Sequence, residues 1–191
     1  LKLNKDTRYA MLAASRGFLN QKHTFTTEGL KDSHTYEQDF TLAPISKPVK
    51  MDNIFFKFGS WELTPDSEAG LKALVKLLND NPNITIELAA HTDLVGNNEA
   101  NQELSHKRAQ SVVDYLIKSG IEKERLTAIG YGEEKPVVVD DNLHKLYPYM
   151  PKDQVLDEAF ITTLTADKQE VCNSLNRRTE FRVLRTTYNL Y

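Results

Sequence analysis

Two residues of opposite charge stand where a ligand can be read. They fall in "AHTDLVGNNEANQELSHKRAQSVVDYLIKSG", residues 90–120. Asp93 closes an apolar alternating run, and Arg108 lies fifteen positions further on, inside a segment with helical spacing. A carboxylate only accepts hydrogen bonds, whereas a guanidinium only donates, through a planar fork. Held near one spot, the pair suits a zwitterion: the acid takes an ammonium and the fork takes a carboxylate. An amino-acid head group is the simplest such ligand. Strand-to-helix turns also expose backbone N–H groups that favour anions, so the N–H groups of 92–95 are expected to complete the cradle. The same two charges could instead neutralise each other, and residue types and spacing leave both outcomes open.

Other chemistries fit the same stretch less well. His91, Asp93 and His106 are a conceivable metal set, but Lys107 and Arg108 beside His106 disfavour a cation. Ser105 has His106 next to it, yet adjacent residues on a helix do not face one another. Asp93 with Glu99 or Glu103 would be the only acid/base pair on offer. No nucleophile-elbow motif accompanies them. The expectation is no catalytic residue, no metal and no cofactor.

Rigid elements must aim Asp93 and Arg108. "NITIELAAHTD" alternates Ile84, Ile86 and Leu88, predicting a strand that ends at Asp93. A helix is predicted from about Asn98 to Ser119, with Leu104, Ala109, Val112, Val113 and Leu116 inward, Gly120 in a left-handed cap and Ile121 packing back. Arg108 then sits at the edge of the buried stripe, its stem running over apolar surface. Upstream, "NIFFKFGS" reads as a strand with Ile54, Phe56 and Phe58 on one face. "TPDSEAGLKALVKLLNDNP" reads as a helix capped by Thr64, with Leu71, Leu74, Val75 and Leu78 buried and Trp61 stapling its start. "ERLTAIGYG" and "RTEFRVLRT", the latter with Phe181 and Val183 inward, complete the sheet. Between these two strands, residues 140–175 form an insertion with helical spacing around Val155, Leu156, Ala159, Phe160 and Leu164. The fold class is a two-layer α/β sandwich, β-α-β-α-β-(helical insertion)-β with a mixed sheet.

Residues 1–50 carry period-2 patterning of about three strands, read as the end of a β-sandwich, with "APISKPVKM" as a stiff linker. The chain thus divides into two units, 1–50 and 51–191. The 191 residues are 40% hydrophobic and 27% charged, with a net charge of -3. That balance supports a buried core and offers no basic field for nucleic acid. No apolar run is long enough to span a bilayer as a helix. The single cysteine, Cys172, excludes an intrachain disulfide and reads as a small apolar residue. The chain starts at Leu1 without a signal peptide or lipidation motif, and so reads as part of something longer.

The spaced set H-T-D at 91–93, N..LS..RA..V..YL from Asn101, G-x-G-E..P from Gly130 and N-R-R at 176–178 resembles the OmpA-like C-terminal domain. The likeness covers roughly Asn53 to Thr187. It implies a periplasmic module that binds peptidoglycan through the diaminopimelate of the stem peptide, without covalent chemistry. On that likeness Asp93 and Arg108 clasp the diaminopimelate end. Thr92 and Leu94 supply loop backbone, Asn101 lies near the pocket and Arg178 supports it from the sheet edge. The family's first strand often ends Phe-Asp-x-Asp/Asn; here Lys57 and Gly59 stand at the acidic positions, leaving Gly59 only its backbone to offer. Residues 1–50 resemble a carboxypeptidase-regulatory-like sandwich, a companion of OmpA-like domains in Bacteroidota envelope proteins, some in type IX secretion machinery. Outer-membrane partners follow from that company. The alternative is an envelope protein–protein module without a cell-wall ligand, using aromatics such as Trp61, Tyr131 and Tyr147 to Tyr149.

Overall fold

The computed structural model describes residues 2–188. The chain begins with a hairpin, β1 (Arg8–Ala13) antiparallel to β2 (Gln21–Thr26). Its expected third strand does not form: 31–43 has no regular element, and Phe18 makes an isolated bridge with Pro44. The hairpin is tied to the body of the fold. Asn20 N–H donates to Asn81 Oδ1 at 2.7 Å, Lys22 N–H donates to Asp80 at 2.9 Å, and Leu19 is buried in the main core.

The remaining elements are β3 (Val49–Lys50), α1 (Glu68–Asp80), β4 (Thr85–Ala90), α2 (Asn98–Lys118) and β5 (Leu126–Gly130). They are succeeded by α3 (Asp141–Leu146), α4 (Glu158–Ile161), α5 (Ala166–Asn176) and β6 (Thr179–Arg185). The sheet order is β3-β6-β4-β5, with β4 parallel to β5 and the other pairs antiparallel. The two-layer α/β sandwich with a mixed sheet is what forms.

The core stripes arise as their periodicity requires. Leu71, Leu74 and Leu78 of α1 pack with Val112, Val113 and Leu116 of α2 on Ile86, Leu88 and Phe181 of the sheet. Buried Arg125 caps the carboxyl end of α1, its Nη2 donating to the carbonyls of Leu78 and Asn81. At the carboxyl end of α2, Gly120 has φ +90 and Ile121 N–H donates to Leu116 O, the left-handed cap the sequence implies.

One strand is displaced. "NIFFKFGS" does not pair in the sheet; it makes a single bridge, Phe56 to Leu63, and Phe58 is fully exposed. The edge strand is Val49–Lys50, from the segment expected to be linker. The cause lies in where the backbone bonds go. Phe55 N–H donates to Ser67 Oγ, and Phe55 O accepts from Ser67 Oγ and Thr64 N–H, so this stretch is bound to the head of α1 rather than to a ladder. Thr64 accordingly caps a short 3-10 turn at Pro65–Ser67 without a side-chain bond to it, and exposed Trp61 does not staple the helix.

The insertion docks on a second core of Val139, Met150, Leu156, Ile161 and Cys172. Cys172 is fully buried there, and burial pushes its thiol pKa up, as befits an inert apolar residue.

Candidate functional site

The site lies where β4 ends. Its six residues are all buried, so the strand is a rigid rod whose exit is set by packing. The ladder runs on past it: His91 N–H donates to Arg178 O and Thr92 N–H to Gly132 O, both at 2.9 Å. Gly96, at φ +111, then turns the chain into α2, whose Asn97 cap accepts from Glu99 and Ala100 N–H. α2 is pressed on the β5 exit. Ser105 Oγ accepts from Gly132 N–H and donates to Gln102 O, while the Gln102 amide donates to Gly130 O. Ser105 is fully buried by these contacts and cannot serve as a nucleophile.

A cleft of about 770 Å³ opens at this corner. Asp93, Arg108, Thr92, Asn101, Gly59 and Arg178 all line it, together with Arg177, Glu170 and the aromatics Phe55, Phe56 and Phe58. Leu94 does not: its side chain turns away and packs on the insertion core.

Arg108 is positioned by the displaced segment. Its Nε donates to Ser60 O at 3.0 Å, and its guanidinium carbon lies 5.1 Å from the centre of the Phe56 ring. Burial lowers its pKa, the Asp93 charge opposes that, and the Arg177 charge adds to it. Arg108 makes no ion pair within 4.0 Å among the described residues, so the two terminal nitrogens of its fork have no carboxylate on them.

Asp93 is committed elsewhere. Its Oδ1 accepts from Val95 N–H at 3.1 Å, and its Oδ2 accepts from Arg177 Nη1 at 2.5 Å. Arg177 Nη2 donates to Glu170 of α5. Asn101 holds the loop from behind, donating to the carbonyls of Asp93 and Val95 and to Glu133. Gly59, at φ +62, sits in the exposed turn closing the cleft mouth.

These contacts bear on three expectations. The N–H groups of Thr92 and Val95 are already satisfied within the protein and do not complete a cradle. The Leu94 side chain packs on the insertion core, so only the loop backbone expected of it is left to the cleft. Arg178 lines the cleft beside the sheet edge, and Arg177, which the sequence reading does not single out, is the one that reaches Asp93. Arg178 instead pairs with Glu180 at 3.3 Å and donates to Lys135 O. The arginine pair is visible in the sequence; which member reaches Asp93 depends on where α5 stops. Glu170 carries no sequence signal at all.

His91 is 2% exposed. Its Nε2 lies 3.2 Å from Glu180 Oε1 and its ring stacks on Tyr131. Burial lowers its pKa, against the upward pull of Glu180. Its Nδ1, and the Thr92 Oγ1 next to it, are buried without a partner. His106 lies apart, exposed in a shallow groove with Asn98, Glu99, Gln102, Glu103 and Glu134. His91, Asp93 and His106 are thus not brought together. Among the described residues no group of three or more His, Cys, Asp or Glu is placed to hold a metal, and no helix is long and apolar enough to cross a membrane.

Residues 55–145 match the OmpA family. Outer membrane porin F of Pseudomonas fluorescens is 36% identical over 96 residues, which is 50% of this chain and 29% of that protein. The peptidoglycan-associated lipoprotein of Rhizobium meliloti (strain 1021) is 36% identical over 107 residues, 56% of this chain and 57% of that protein. The crystal structure of the peptidoglycan-associated lipoprotein from Burkholderia pseudomallei superposes with a TM-score of 0.47 at 25% identity, covering 68% of this chain and 87% of that one. The chain thus spans well under two thirds of these two curated relatives. Asp93, Asn101 and Arg108 fall inside the matched segment, while Glu170 and Arg177 lie beyond it. The likeness to the OmpA family thus rests on residues 55–145, which hold Asp93 and Arg108.

Proposed function

We propose that the cleft grips peptidoglycan without covalent chemistry, by holding the free amino-acid end of diaminopimelate in the stem peptide. The observation that carries this reading is that Asp93 and Arg108 line one open cleft without pairing with each other. The ligand carboxylate takes the open fork of Arg108, and the ligand ammonium goes to Asp93. Arg178 stands at the cleft wall, and Asn101 keeps the Asp93 loop in place. The likeness to a peptidoglycan-associated lipoprotein supports the wall as target. The role is mechanical: tethering an outer-membrane protein or assembly, in the periplasm, to the cell wall. Residues 1–50, as a carboxypeptidase-regulatory-like unit, extend the proposal to an envelope machine of the type IX secretion kind.

Titration calorimetry with a diaminopimelate-containing stem peptide tests it. Asp93→Asn and Arg108→Ala are each expected to weaken binding severalfold to over tenfold, since a charge-assisted contact is worth about 1.5–3 kcal/mol. A second reading, an envelope protein gripping the exposed aromatic lip of Phe55, Phe58 and Trp61, rests on the full exposure of Phe58. It gains if the unsubstituted protein does not bind the stem peptide; unchanged binding by both variants would instead place the wall contact on another surface.

A further inference from the structure

The seat offered to a ligand ammonium is occupied. Arg177 Nη1 sits 2.5 Å from Asp93 Oδ2, the carboxylate oxygen that Val95 N–H leaves free. A guanidinium there already supplies the hydrogen bond and the charge that an incoming ammonium would supply. The two cations cannot both crowd the same oxygen without repulsion, and Arg108 adds a third positive charge nearby. Ligand entry is therefore an exchange: the ammonium arrives and Arg177 leaves.

Where Arg177 goes decides the cost. Its other terminal nitrogen, Nη2, donates to Glu170, seven residues earlier on α5 and on the same helical face. Glu170 is 66% exposed by side chain and Arg177 38%, so neither is locked by packing, and the arginine can turn without disturbing a core. The Arg108 fork, by contrast, is anchored through Nε to Ser60 O and faces the cleft with its remaining donors.

We infer that Arg177 is a resident counter-ion for Asp93, and that Glu170, from the insertion helix, is the positioning residue that keeps Arg177 paired once a ligand ammonium takes Asp93. The inference rests on the reading given above and goes beyond it: the insertion sets the affinity of the cleft without touching the ligand. Without Glu170, displaced Arg177 faces Arg178 and Arg108 with no anion of its own, so displacement is harder. Without Arg177, Asp93 is free, and Glu170 has nothing to do.

A double-mutant cycle reads this directly. The dissociation constant of a diaminopimelate-containing stem peptide is measured by calorimetry for the unsubstituted protein, Glu170→Gln, Arg177→Gln and the double variant, with thermal melts confirming that each folds. Glu170→Gln is expected to weaken binding threefold or more, and Glu170→Asp to restore most of it. Arg177→Gln is expected to tighten binding threefold or more, and the double variant to match Arg177→Gln. Weaker binding by Arg177→Gln would make Arg177 a ligand contact and overturn the assignment. A Glu170→Gln effect that persists without Arg177, or no effect in either background, overturns it as well. If the unsubstituted protein does not bind the peptide, the peptidoglycan reading itself fails and takes this inference with it.

Discussion

Arg177, not Arg108, holds the Asp93 carboxylate, with Nη1 2.5 Å from Oδ2. This one contact separates the roles of two arginines that share a cleft. Arg108 comes from the middle of a long helix and is braced against Ser60 and Phe56. Arg177 comes from the end of α5 and is half in solvent. A braced, partly buried fork is pre-organised for a carboxylate; an exposed one serves as an exchangeable partner.

The brace makes a prediction about Arg108 itself. Lysine in its place keeps the charge but loses both the Nε bond to Ser60 and the planar fork. Arg108→Lys is expected to weaken stem-peptide binding by about fivefold or more, read by calorimetry. An unchanged dissociation constant would mean that charge alone suffices there.

The close contact of α2 with β5 makes a prediction about Gly130. A Cβ at this position runs into the His106 backbone nitrogen and the Ser105 hydroxyl, and backbone cannot step aside. Gly130→Ala is expected to cost about 1–3 kcal/mol, a fall in melting temperature of roughly 2–12 °C for a domain of this size. A melt matching that of the unsubstituted protein would show that α2 sits further from the strand.

His91 sets a pH dependence. Burial holds its pKa below the ordinary 6.5, against Glu180, while Arg178 and Lys135 add to the lowering. Tyr131 covers the ring. Protonation is thus disfavoured in the folded protein, and the unfolded chain binds the extra proton first. The stability His91 contributes is present above pH 6.5 and is lost as pH falls from there through its lowered folded value. For Glu180, desolvation works upward, yet the His91 hydrogen bond and the Arg178 charge outweigh it and bring its carboxyl below 4.5. Its contribution has the same sign in a more acidic window. Melting temperature is expected to fall between pH 7.5 and pH 5.5, and to fall less in His91→Gln. Equal slopes for the two proteins would count against the buried neutral imidazole.

Glu87, 2% exposed in the central strand, is held bidentately by Arg182 at 2.9 and 2.8 Å and accepts from the Tyr131 hydroxyl at 3.0 Å. Arg182→Ala leaves this buried carboxylate with the tyrosine alone. The expected loss is about 1–3 kcal/mol in denaturant unfolding, with stem-peptide binding unaltered, because Arg182 does not line the cleft. A stability change under about 0.5 kcal/mol would show that water replaces the arginine at no cost.

Much of this architecture is local and therefore readable. α2 is expected from about Asn98 to Ser119 and runs Asn98–Lys118, because its Asn97 cap, its apolar stripe and Gly120 act within a few residues of one another. The stripe of α1, the strand leading to Asp93, which ends at Ala90, and the inward Phe181 arise from the same short-range periodicities. Segment 53–60 reads as a strand and is not one, because its period-2 pattern is equally satisfied by a turn bound to Ser67 and Arg108, with Phe58 left in solvent.

Short-range patterning in the chain is thus enough to set α1, α2 and β4 to β6 and to place Asp93 and Arg108 at the ends and edges of rigid ones. Which charge answers which is settled only in three dimensions. Arg177 and Arg178 are neighbours, and neighbouring residues at a helix-to-strand junction point different ways. Glu170 reaches the cleft only because the whole insertion folds on its own core and closes a loop of dozens of residues back onto the exit of β4, a long-range event with no short-range signature.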